Sequence, residues 1–530
     1  MAITFAVSLS LILSTIVVSD SLNGYDIHQE FNVFLQAWGS KIWRPDIGVP
    51  YNSALSISIL PLVISTVSGI GGLTIFKFIL PLLFSTAPVL LYKLYRKILP
   101  PEGAFLSAFL FMSYPSFYGE LIYLGRQEVA EVLLLTLLLC FFSSRKARQG
   151  PGKTIAVLLL TFGMITAHYS LAYIYLGILA FSILMSRLSD RAVGLCTPGI
   201  LLLSAVISVC WYPFAASGAA FISLADFVSA VAKGAVVDLF NPISRPPMVM
   251  QALGLAPTAA GFLHFANRAT QYIVVFSIIL GFIIFVWKRE KMLAERKMLP
   301  LMMFAFVMLC LVVLAPFFAA ALNLSRTYQI VLLFLSPCFT YGVVCLESGF
   351  QAVYSFVRRH VSSVRMSRPL RKQVLAAGIL LCYFLFLSGW VWSVSMEWPG
   401  SFLFDRERVI VTYPDLRVNY YDEYTVPQDI ASASWLESHL SGRYSVCADL
   451  ISRWHVLNSY GGLPRDGPTL PSECNFLNSY VYLGTLNTVY GIGTWWGLES
   501  TYSTWPISSI SPILGAKNRV FSDGGSVIYA

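Results

Sequence analysis

Eleven apolar segments recur along the chain, each close to the length that a helix needs to cross the hydrocarbon core of a bilayer. They cover residues 2–19, 73–92, 103–117, 129–143, 154–168, 170–186, 193–213, 271–287, 299–320, 328–346 and 374–395. The first resembles a signal peptide, but no Lys or Arg precedes it and no small-residue cleavage site follows, so we expect an uncleaved signal-anchor helix. The pattern predicts an α-helical polytopic membrane protein with about eleven transmembrane helices.

The composition agrees with this fold class. Apolar residues make up 56% of the chain, charged residues only 12%, and the mean hydropathy is +0.69, values that exclude a soluble globular protein. The net charge of +9 does not indicate nucleic-acid binding, because the basic residues lie in short clusters at the ends of apolar segments rather than on one patch.

These basic clusters predict the orientation in the membrane. If the N-terminus is cytoplasmic, the clusters at 93–97, 145–148, 187–191, 288–297 and 358–372 all fall on the cytoplasmic side. The intervening loops, including the long stretches 20–52 and 214–270, are poor in Lys and Arg, which is the positive-inside pattern. We therefore expect a multi-pass protein of the plasma membrane whose C-terminal region is extracytoplasmic.

The sequence divides into a transmembrane domain (1–395) and a small extracytoplasmic α/β domain (396–530). In the second, Thr425-Val426-Pro427-Gln428 has the pattern of a capping box that opens a helix ending near residue 440, and residues 444–449 read as a strand. Asp523-Gly524 lies between two alternating runs and predicts a closing hairpin that ends at Tyr529.

Cysteine use separates the two domains. Seven of the nine cysteines lie in or beside apolar segments and are typical of packing residues. Cys447 and Cys474 are the only cysteines after residue 396. In an oxidising compartment they form a disulfide, and otherwise they are two buried thiols.

An acidic run, Gly24-Tyr25-Asp26-Ile27-His28-Gln29-Glu30-Phe31, follows the first apolar segment. If it is helical, Asp26 and Glu30 share one face; if it is extended, Asp26, His28 and Glu30 do, an arrangement that also suits a divalent metal. Two carboxylates converge in either case, at a membrane face where ionisable groups are costly and usually functional. A solvated loop end with a helix-starting Asp is the alternative.

A second polar run, Gly125-Arg126-Gln127-Glu128-Val129-Ala130-Glu131, opens an apolar segment on the same side of the membrane. An arginine at the start of a helix can bind a phosphate bidentately, assisted by the positive end of the helix dipole. Alternatively, Arg126 and Glu131 pair with each other inside the helical bundle.

Two further motifs lie on the predicted outer side. His168 and Tyr169 form a very short turn between apolar segments, where a lone histidine is often only structural. Asn323-Leu324-Ser325-Arg326-Thr327-Tyr328 places Arg326 at the mouth of another segment, with snorkelling to the interface as the alternative. Because all these motifs share one side of the membrane, we expect them to converge there.

The order of these motifs, with an acidic first outer loop, many helices and an outer C-terminal domain, resembles the GT-C superfamily of membrane glycosyltransferases. More narrowly, the run 24–30, Arg126-Gln127 with Ala130-Glu131, His168-Tyr169-Ser170, residues 323–326 and Ser522-Asp523-Gly524-Gly525 resemble a largely uncharacterised family of predicted archaeal membrane proteins within it.

GT-C enzymes use a polyprenyl-phosphate-linked sugar, so the resemblance implies that donor, the lipid bilayer and a glycan, lipid or protein acceptor as partners, and no nucleic acid. It implies that Asp26 takes the acceptor hydroxyl proton while the oxygen attacks the anomeric carbon with inversion. In the same way, Glu30 and His28 would orient the acceptor or hold a divalent metal with Asp26, and the lipid phosphate would be neutralised by Arg126, Arg326, His168 and Lys77. Further candidate site residues, without an assigned role, are Glu128, Glu131 and Tyr169. No ligand set in the sequence decides on a metal cofactor.

The sequence departs from one GT-C subgroup. Oligosaccharyltransferase catalytic subunits carry Trp-Trp-Asp-Tyr-Gly in their outer domain, whereas this chain has Trp495-Trp496-Gly497-Leu498-Glu499, which favours transfer of a single sugar. The stretch 214–270 reads either as a mobile gate or as an ordered pair of interfacial helices. A transporter or lipid flippase and a structural component of the cell envelope remain the alternatives to an enzyme.

Overall fold

A computed structural model describes residues 1–143, 151–239, 241, 244–255, 259–287, 292–360, 373–440, 444–496 and 502–530. The predicted basic cluster at 145–148, parts of those at 288–297 and 358–372, and residues 497–499 lie outside this set. The first helices span Ala2–Ile16, Asp26–Ser40, Ile59–Ser68, Gly72–Tyr95, Pro101–Ser113 and Gly125–Phe141. They are followed by Pro151–Ala167, Tyr169–Leu188, Pro198–Trp211, Ala219–Val237, Pro247–Ala252, Phe262–Trp287, Leu293–Leu314, Phe318–Leu322, Leu324–His360, Val374–Leu387 and Trp390–Ser395.

Every one of the eleven predicted segments overlaps a helix. Among the described residues, six helices are long and apolar enough to cross a membrane: Gly72–Tyr95, Tyr169–Leu188, Ala215–Val237, Phe262–Trp287, Leu293–Leu314 and Leu324–Ser348. Five further apolar helices of 10–17 residues are Ala2–Ile16, Ile59–Ser68, Pro151–Ala167, Pro198–Trp211 and Val374–Leu387. Two of these eleven were not among the predicted segments: Ile59–Ser68 lies between the first two segments, and Ala215–Val237 lies in the predicted outer stretch 214–270.

The short helix Ile59–Ser68 does not take the chain to the other end of the bundle. The chain turns at Gly69 and Gly71, and at Gly72 a methyl group would lie 2.1 Å from the ring of Phe34, so residue 72 packs directly on the helix Asp26–Ser40. Residues before and after this helix therefore lie at the same end of the bundle. The two crossings that the sequence predicts between Asp26 and Arg126 stay a prediction.

The bundle is held by close helix packing. Gly281 in Phe262–Trp287 faces Gly342 in Leu324–His360, and a methyl group built on Gly281 would lie 1.8 Å from the carbonyl oxygen of Cys338. A methyl group on Gly342 would lie 2.0 Å from the carbonyl oxygen of Ser277. Small residues allow this approach, which is typical of helix pairs in membranes, where packing rather than hydrophobicity drives association.

The described strands all lie in the C-terminal region, which also contains the helices Phe402–Thr412, Pro414–Glu423 and Pro427–His439 and the short turns Ser452–Leu457, Asn458–Tyr460, Thr485–Thr488 and Ser511–Leu514. The strands are β1 (Ser445–Cys447), β2 (Ser479–Leu483), β3 (Ile492–Trp496), β4 (Tyr502–Pro506), β5 (Arg519–Ser522) and β6 (Val527–Tyr529). One sheet has the order β1-β2-β6-β5, with β1 and β2 parallel and the other pairs antiparallel, and β3 and β4 form a separate hairpin.

Of the two turn and capping predictions for this region, the hairpin is present and the capping box is not. Asp523 accepts hydrogen bonds from the backbone N–H groups of Gly525 and Ser526 in the turn between β5 and β6, so the predicted hairpin is present. The capping box is wrong: the helix starts at Pro427 with Val426 as N-cap and no side-chain cap. Proline is suited to the first helical position, and it moves the start one residue beyond Thr425.

Cys447 and Cys474 form a disulfide, with an S–S distance of 2.12 Å, between the end of β1 and the loop before β2. The C-terminal region also pairs with the segment after the first helix. Gly24 donates its N–H to the carbonyl oxygen of Glu423 (2.7 Å), and Ser21 Oγ donates to the carbonyl oxygen of Thr425 (2.6 Å). The boundary at residue 396 stays a prediction, but these contacts place the C-terminal region against the acidic run.

Candidate functional site

The acidic run forms the start of a helix, Asp26–Ser40, called the site helix below. Of the two arrangements that the sequence left open, the helical one is therefore present. Asp26 and Glu30 lie one turn apart on the same face, and Asp26 occupies the first turn, where the positive end of the helix dipole stabilises a carboxylate.

Two arginines from distant helices meet this face. Arg126 donates to Glu30 Oε1 and, over 3.3 Å, to Asp26 Oδ2, while Arg326 donates to the same Oδ2 over 2.9 Å. Tyr51 donates its hydroxyl to Asp26 Oδ1 (3.0 Å), and its ring centroid lies 4.2 Å from the Arg126 guanidinium. Two carboxylates and two guanidiniums thus form one charge-balanced cluster.

The members of this cluster differ in exposure. The Glu30 side chain is fully buried and the Arg126 side chain 5% exposed, whereas Asp26 and Arg326 keep 14% and 18% of their side-chain surface. Arg126 is therefore enclosed between the two carboxylates. Asp26 and Arg326 are the pair that a substrate can reach.

The pKa values of the two carboxyl groups are shifted in opposite directions by their surroundings. Burial opposes the ionisation of Asp26, but the guanidiniums of Arg326 and Arg126 outweigh it and lower the pKa of Asp26 to about 2. For Glu30, burial dominates over the attraction of Arg126, and with the nearby charge of Asp26 it raises the pKa to about 7. At neutral pH Asp26 is fully ionised, and Glu30 titrates.

Behind the cluster, the helix Gly125–Phe141 carries two more buried acids. Gln127 donates to Glu131 Oε1 over 2.9 Å, and within the described part of the chain neither carboxyl oxygen of Glu128 has a hydrogen-bond partner. The alternative in which Arg126 pairs with Glu131 is wrong, because the guanidinium turns toward Asp26 and Glu30 on the site helix instead.

His28 points away from the carboxylates, as the helical pitch requires. Its ring stacks on that of His455 at a centroid distance of 5.0 Å, and its Nδ1 hydrogen-bonds with Ser459 Oγ over 2.7 Å. The predicted metal set of Asp26, His28 and Glu30 is thus not assembled. His28 instead connects the site helix to the C-terminal region.

The residues present do not fit a divalent metal. Asp26 Oδ2 accepts from two guanidiniums, Asp26 Oδ1 from Tyr51, and Glu30 from Arg126, so the carboxylate oxygens are directed to cationic donors rather than toward a shared point. Over the described ranges, no three His, Cys, Asp or Glu side chains converge. A divalent cation would have to displace these arginines.

His168 and Lys77, two other predicted site residues, have local partners. His168 is the N-cap of Tyr169–Leu188, where its Nδ1 accepts from the N–H of Leu171 (3.0 Å) and its ring stacks on Tyr169. Lys77 Nζ donates to the carbonyl oxygens of Ser19 (2.5 Å) and Ser21 (2.7 Å). These bonds direct its ammonium to the chain after the first helix, and its predicted phosphate contact would compete with them.

Three residues to which the sequence assigned no role also contact the cluster. Tyr51 bonds Asp26, Tyr25 lies 5.8 Å from the Arg326 guanidinium, and Glu120 lies 3.9 Å from Arg326 Nε while accepting from Ser325 Oγ (2.6 Å). Tyr25 lies within the acidic run, whereas no motif marks Tyr51 or Glu120. For these two, the only signal was their predicted position on the same side of the membrane.

A family model described as "Predicted membrane protein (DUF2206)" matches residues 153–529. The chain belongs to this family. DUF2206 is a family of predicted membrane proteins, in agreement with the resemblance found in the sequence. No curated protein matches the chain.

Two solved structures share the fold of this DUF2206 protein. The oligosaccharyltransferase of Archaeoglobus fulgidus, in its apo form, superimposes with a TM-score of 0.52 at 13% identity, over 95% of this chain and 74% of that one. ArnT from Cupriavidus metallidurans, bound to undecaprenyl phosphate, gives a TM-score of 0.50 at 10% identity, over 100% of this chain and 97% of that one. The predicted GT-C fold is confirmed.

Proposed function

We propose that this protein is a GT-C glycosyltransferase that moves a sugar from a polyprenyl-phosphate-linked donor to an acceptor hydroxyl at the Asp26 cluster. The observation that carries the proposal is the joining of Asp26 to Arg126 and Arg326 across three separate helices. The structural similarity to a protein bound to undecaprenyl phosphate supports a donor of that class.

Each residue then has a role set by its exposure. The acceptor oxygen attacks the anomeric carbon, the bond from that carbon to the phosphate oxygen breaks, and the proton of the acceptor passes to Asp26. Arg326, which is partly exposed, neutralises the departing phosphate. Arg126 is enclosed by Glu30 and Asp26 and acts as a positioning residue.

The side of the membrane on which this takes place follows from the charge pattern. The basic loops favour a cytoplasmic face opposite the cluster, so the site and the C-terminal region would be extracytoplasmic. A reporter fused after Tyr529 should be active only outside the cell. Activity of the same fusion in the cytoplasm would overturn the orientation.

The test of the chemistry is Asp26→Asn, assayed in membranes supplied with labelled polyprenyl-phosphate sugars. Loss of the proton acceptor should lower transfer by about 10²–10⁴-fold. The matched control is Asp415→Asn, since Asp415 is an exposed carboxylate in the first turn of the helix Pro414–Glu423, outside the cluster. Undiminished transfer by Asp26→Asn at normal expression would remove Asp26 from the reaction.

A further inference from the structure

A second feature lies at the other end of the site helix. A cavity of about 230 Å³ opens between the last turns of this helix and the loop after it. Its lining consists of Val33, Gln36, Ala37, Ser40, Ile42, Trp43, Arg44, Ile47 and Asn52. The volume is below the roughly 300 Å³ at which pockets for drug-sized ligands begin, so the cavity suits a compact ligand.

One wall of the cavity is a rigid aromatic surface. The indole of Trp43 stacks on that of Trp211 at a centroid distance of 5.5 Å and an interplanar angle of 12°. Both indole N–H groups are already used: Trp43 donates to Asn52 Oδ1 (3.0 Å) and Trp211 to the carbonyl oxygen of Ser53 (3.0 Å). Because these contacts hold the Trp43 ring in place, this wall of the cavity is preorganised for a ligand.

The rest of the lining combines an apolar floor with a polar rim. Val33 and Ala37 are buried on the site helix, while Gln36 and Ser40 on the same helix are exposed at the opening. Arg44 adds a guanidinium, but its charge is balanced by Asp46, which accepts from both its Nε (3.2 Å) and its Nη2 (2.5 Å). The site therefore offers an aromatic face and hydrogen-bonding groups without net charge.

These properties match a neutral sugar ring, whose C–H face packs on an indole while its hydroxyls bond amides and hydroxyls at the rim. An anionic ligand would find the Arg44 guanidinium already paired with Asp46, and a lipid chain would use the apolar floor but not the polar rim. The ligand class that uses both the wall and the rim is a monosaccharide unit.

The cavity is connected to the Asp26 cluster in two ways. Tyr51 bonds Asp26, and the next residue, Asn52, lines the cavity and orients Trp43. On the site helix, Asp26 and Val33 are seven residues apart, which is roughly 10 Å along the axis. A glycan that lies along the helix would thus place one unit in the cavity and another at the cluster.

We propose that this cavity binds one non-reacting, neutral sugar unit of the acceptor, and that the acceptor is therefore a glycan. The proposal rests on the glycosyltransferase function proposed above and names its acceptor class. It assigns Trp43, Gln36 and Ala37 to acceptor recognition rather than to the reaction.

The experiment measures binding without donor, so that it is independent of turnover. The purified full chain in detergent is mixed with methyl hexopyranosides and neutral hexose di- and trisaccharides, and contact is read by ligand-observed saturation-transfer NMR. Ala37→Trp, which fills the floor, should weaken binding at least about tenfold, and Gln36→Ala should weaken it to a smaller extent. Gly39→Trp is the matched control, because Gly39 is on the same helix and a methyl group built on it has nothing within 4 Å.

The outcomes separate the two proposals. Binding by the unmodified protein that is lost in Ala37→Trp and kept in Gly39→Trp and Asp26→Asn supports the cavity. No binding of any member of the panel, or equal binding by Ala37→Trp, overturns it. Retained sugar binding together with full transfer by Asp26→Asn would instead overturn the proposed chemistry and leave the cavity standing.

Discussion

The ion pair between Arg126 and Glu30 should dominate the stability of the site, and Arg126→Ala tests this. The substitution leaves the fully buried Glu30 carboxylate without its cation, while Asp26 keeps Arg326 and Tyr51. Removing one partner of a buried pair costs roughly 3–5 kcal/mol, because the remaining charge is left uncompensated. This corresponds to a change of about 10²–10⁴ in the ratio of folded to unfolded protein.

The cost should depend on pH with a defined sign. Without Arg126, burial and the nearby charge of Asp26 act on Glu30 unopposed, so its folded-state pKa should rise above the present value of about 7, while the unfolded carboxyl titrates near its usual 4.5. A carboxyl with a raised pKa is more protonated in the folded state, so stability is lost as the pH rises through this window. The defect of Arg126→Ala should therefore be larger at pH 8 than at pH 5.

The assay is unfolding of the purified protein in mixed micelles, followed by tryptophan fluorescence at both pH values. Two comparisons fix the interpretation. Arg126→Ala combined with Glu30→Gln should recover most of the loss, because the buried charge is gone. Arg44→Ala removes an exposed ion pair in the loop after the site helix and should leave unfolding unchanged. Equal unfolding of Arg126→Ala and Arg44→Ala, or a defect independent of pH and of Glu30→Gln, would refute the reasoning.

Three further predictions concern packing, the disulfide and pH. Gly281→Ala should destabilise the bundle by about 1–3 kcal/mol or more, since its methyl group would lie 1.8 Å from a carbonyl oxygen. Gly378→Ala has open space around it and should not destabilise the bundle, and thermal unfolding of both variants tests this difference. Replacing Cys447 by Ser, or reducing its bond to Cys474, should destabilise the C-terminal region by about 2–4 kcal/mol, and protection from proteolysis that is equal with and without reductant would contradict this. Burial, with the nearby Arg465, lowers the pKa of His455 to about 3. The stability that this histidine contributes is therefore complete above about pH 6.5 and is lost as the pH falls toward 3. In unfolding measured between pH 7 and pH 4.5, His455→Gln should show less acid sensitivity than the unmodified protein.

The helices could be predicted from the sequence where long apolar segments mark them. All eleven apolar segments overlap helices, because a chain in lipid has to satisfy its backbone internally. For the helix Ala219–Val237, Asp226 and Lys233 interrupt the apolar run, so the sequence offered only an interfacial helix pair as one of two alternatives there. Ile59–Ser68 was missed because its ten residues are too few to cross a bilayer. Hydropathy does not predict how one helix packs on its neighbours, for example the contact between Gly72 and Phe34.

The sequence predicted only that the site residues lie on one side of the membrane. Topology brought Asp26, Arg126 and Arg326 to one end, although 100 and 300 residues separate the two arginines from Asp26. Which groups touch was not predictable, because each contact depends on helix rotation: the turn of the site helix sends His28 to His455 and Glu30 to Arg126. The arrangement of Asp26, His28 and Glu30 as one set required an extended chain.

The double pairing of Asp26 constrains how it can act as a base. With a pKa near 2, the carboxylate does not take a proton from a free hydroxyl; it accepts one only as the bond between the acceptor oxygen and the anomeric carbon forms and the hydroxyl becomes acidic. In the proposed reaction, a phosphate that draws Arg326 toward itself removes one of the two guanidiniums that hold this pKa down. Arrival of the donor would thus make Asp26 more basic, while Arg126, fixed by Glu30, keeps the carboxylate in place. Enclosing one arginine and leaving the other accessible, at 5% and 18% exposure, is the arrangement that such coupling requires.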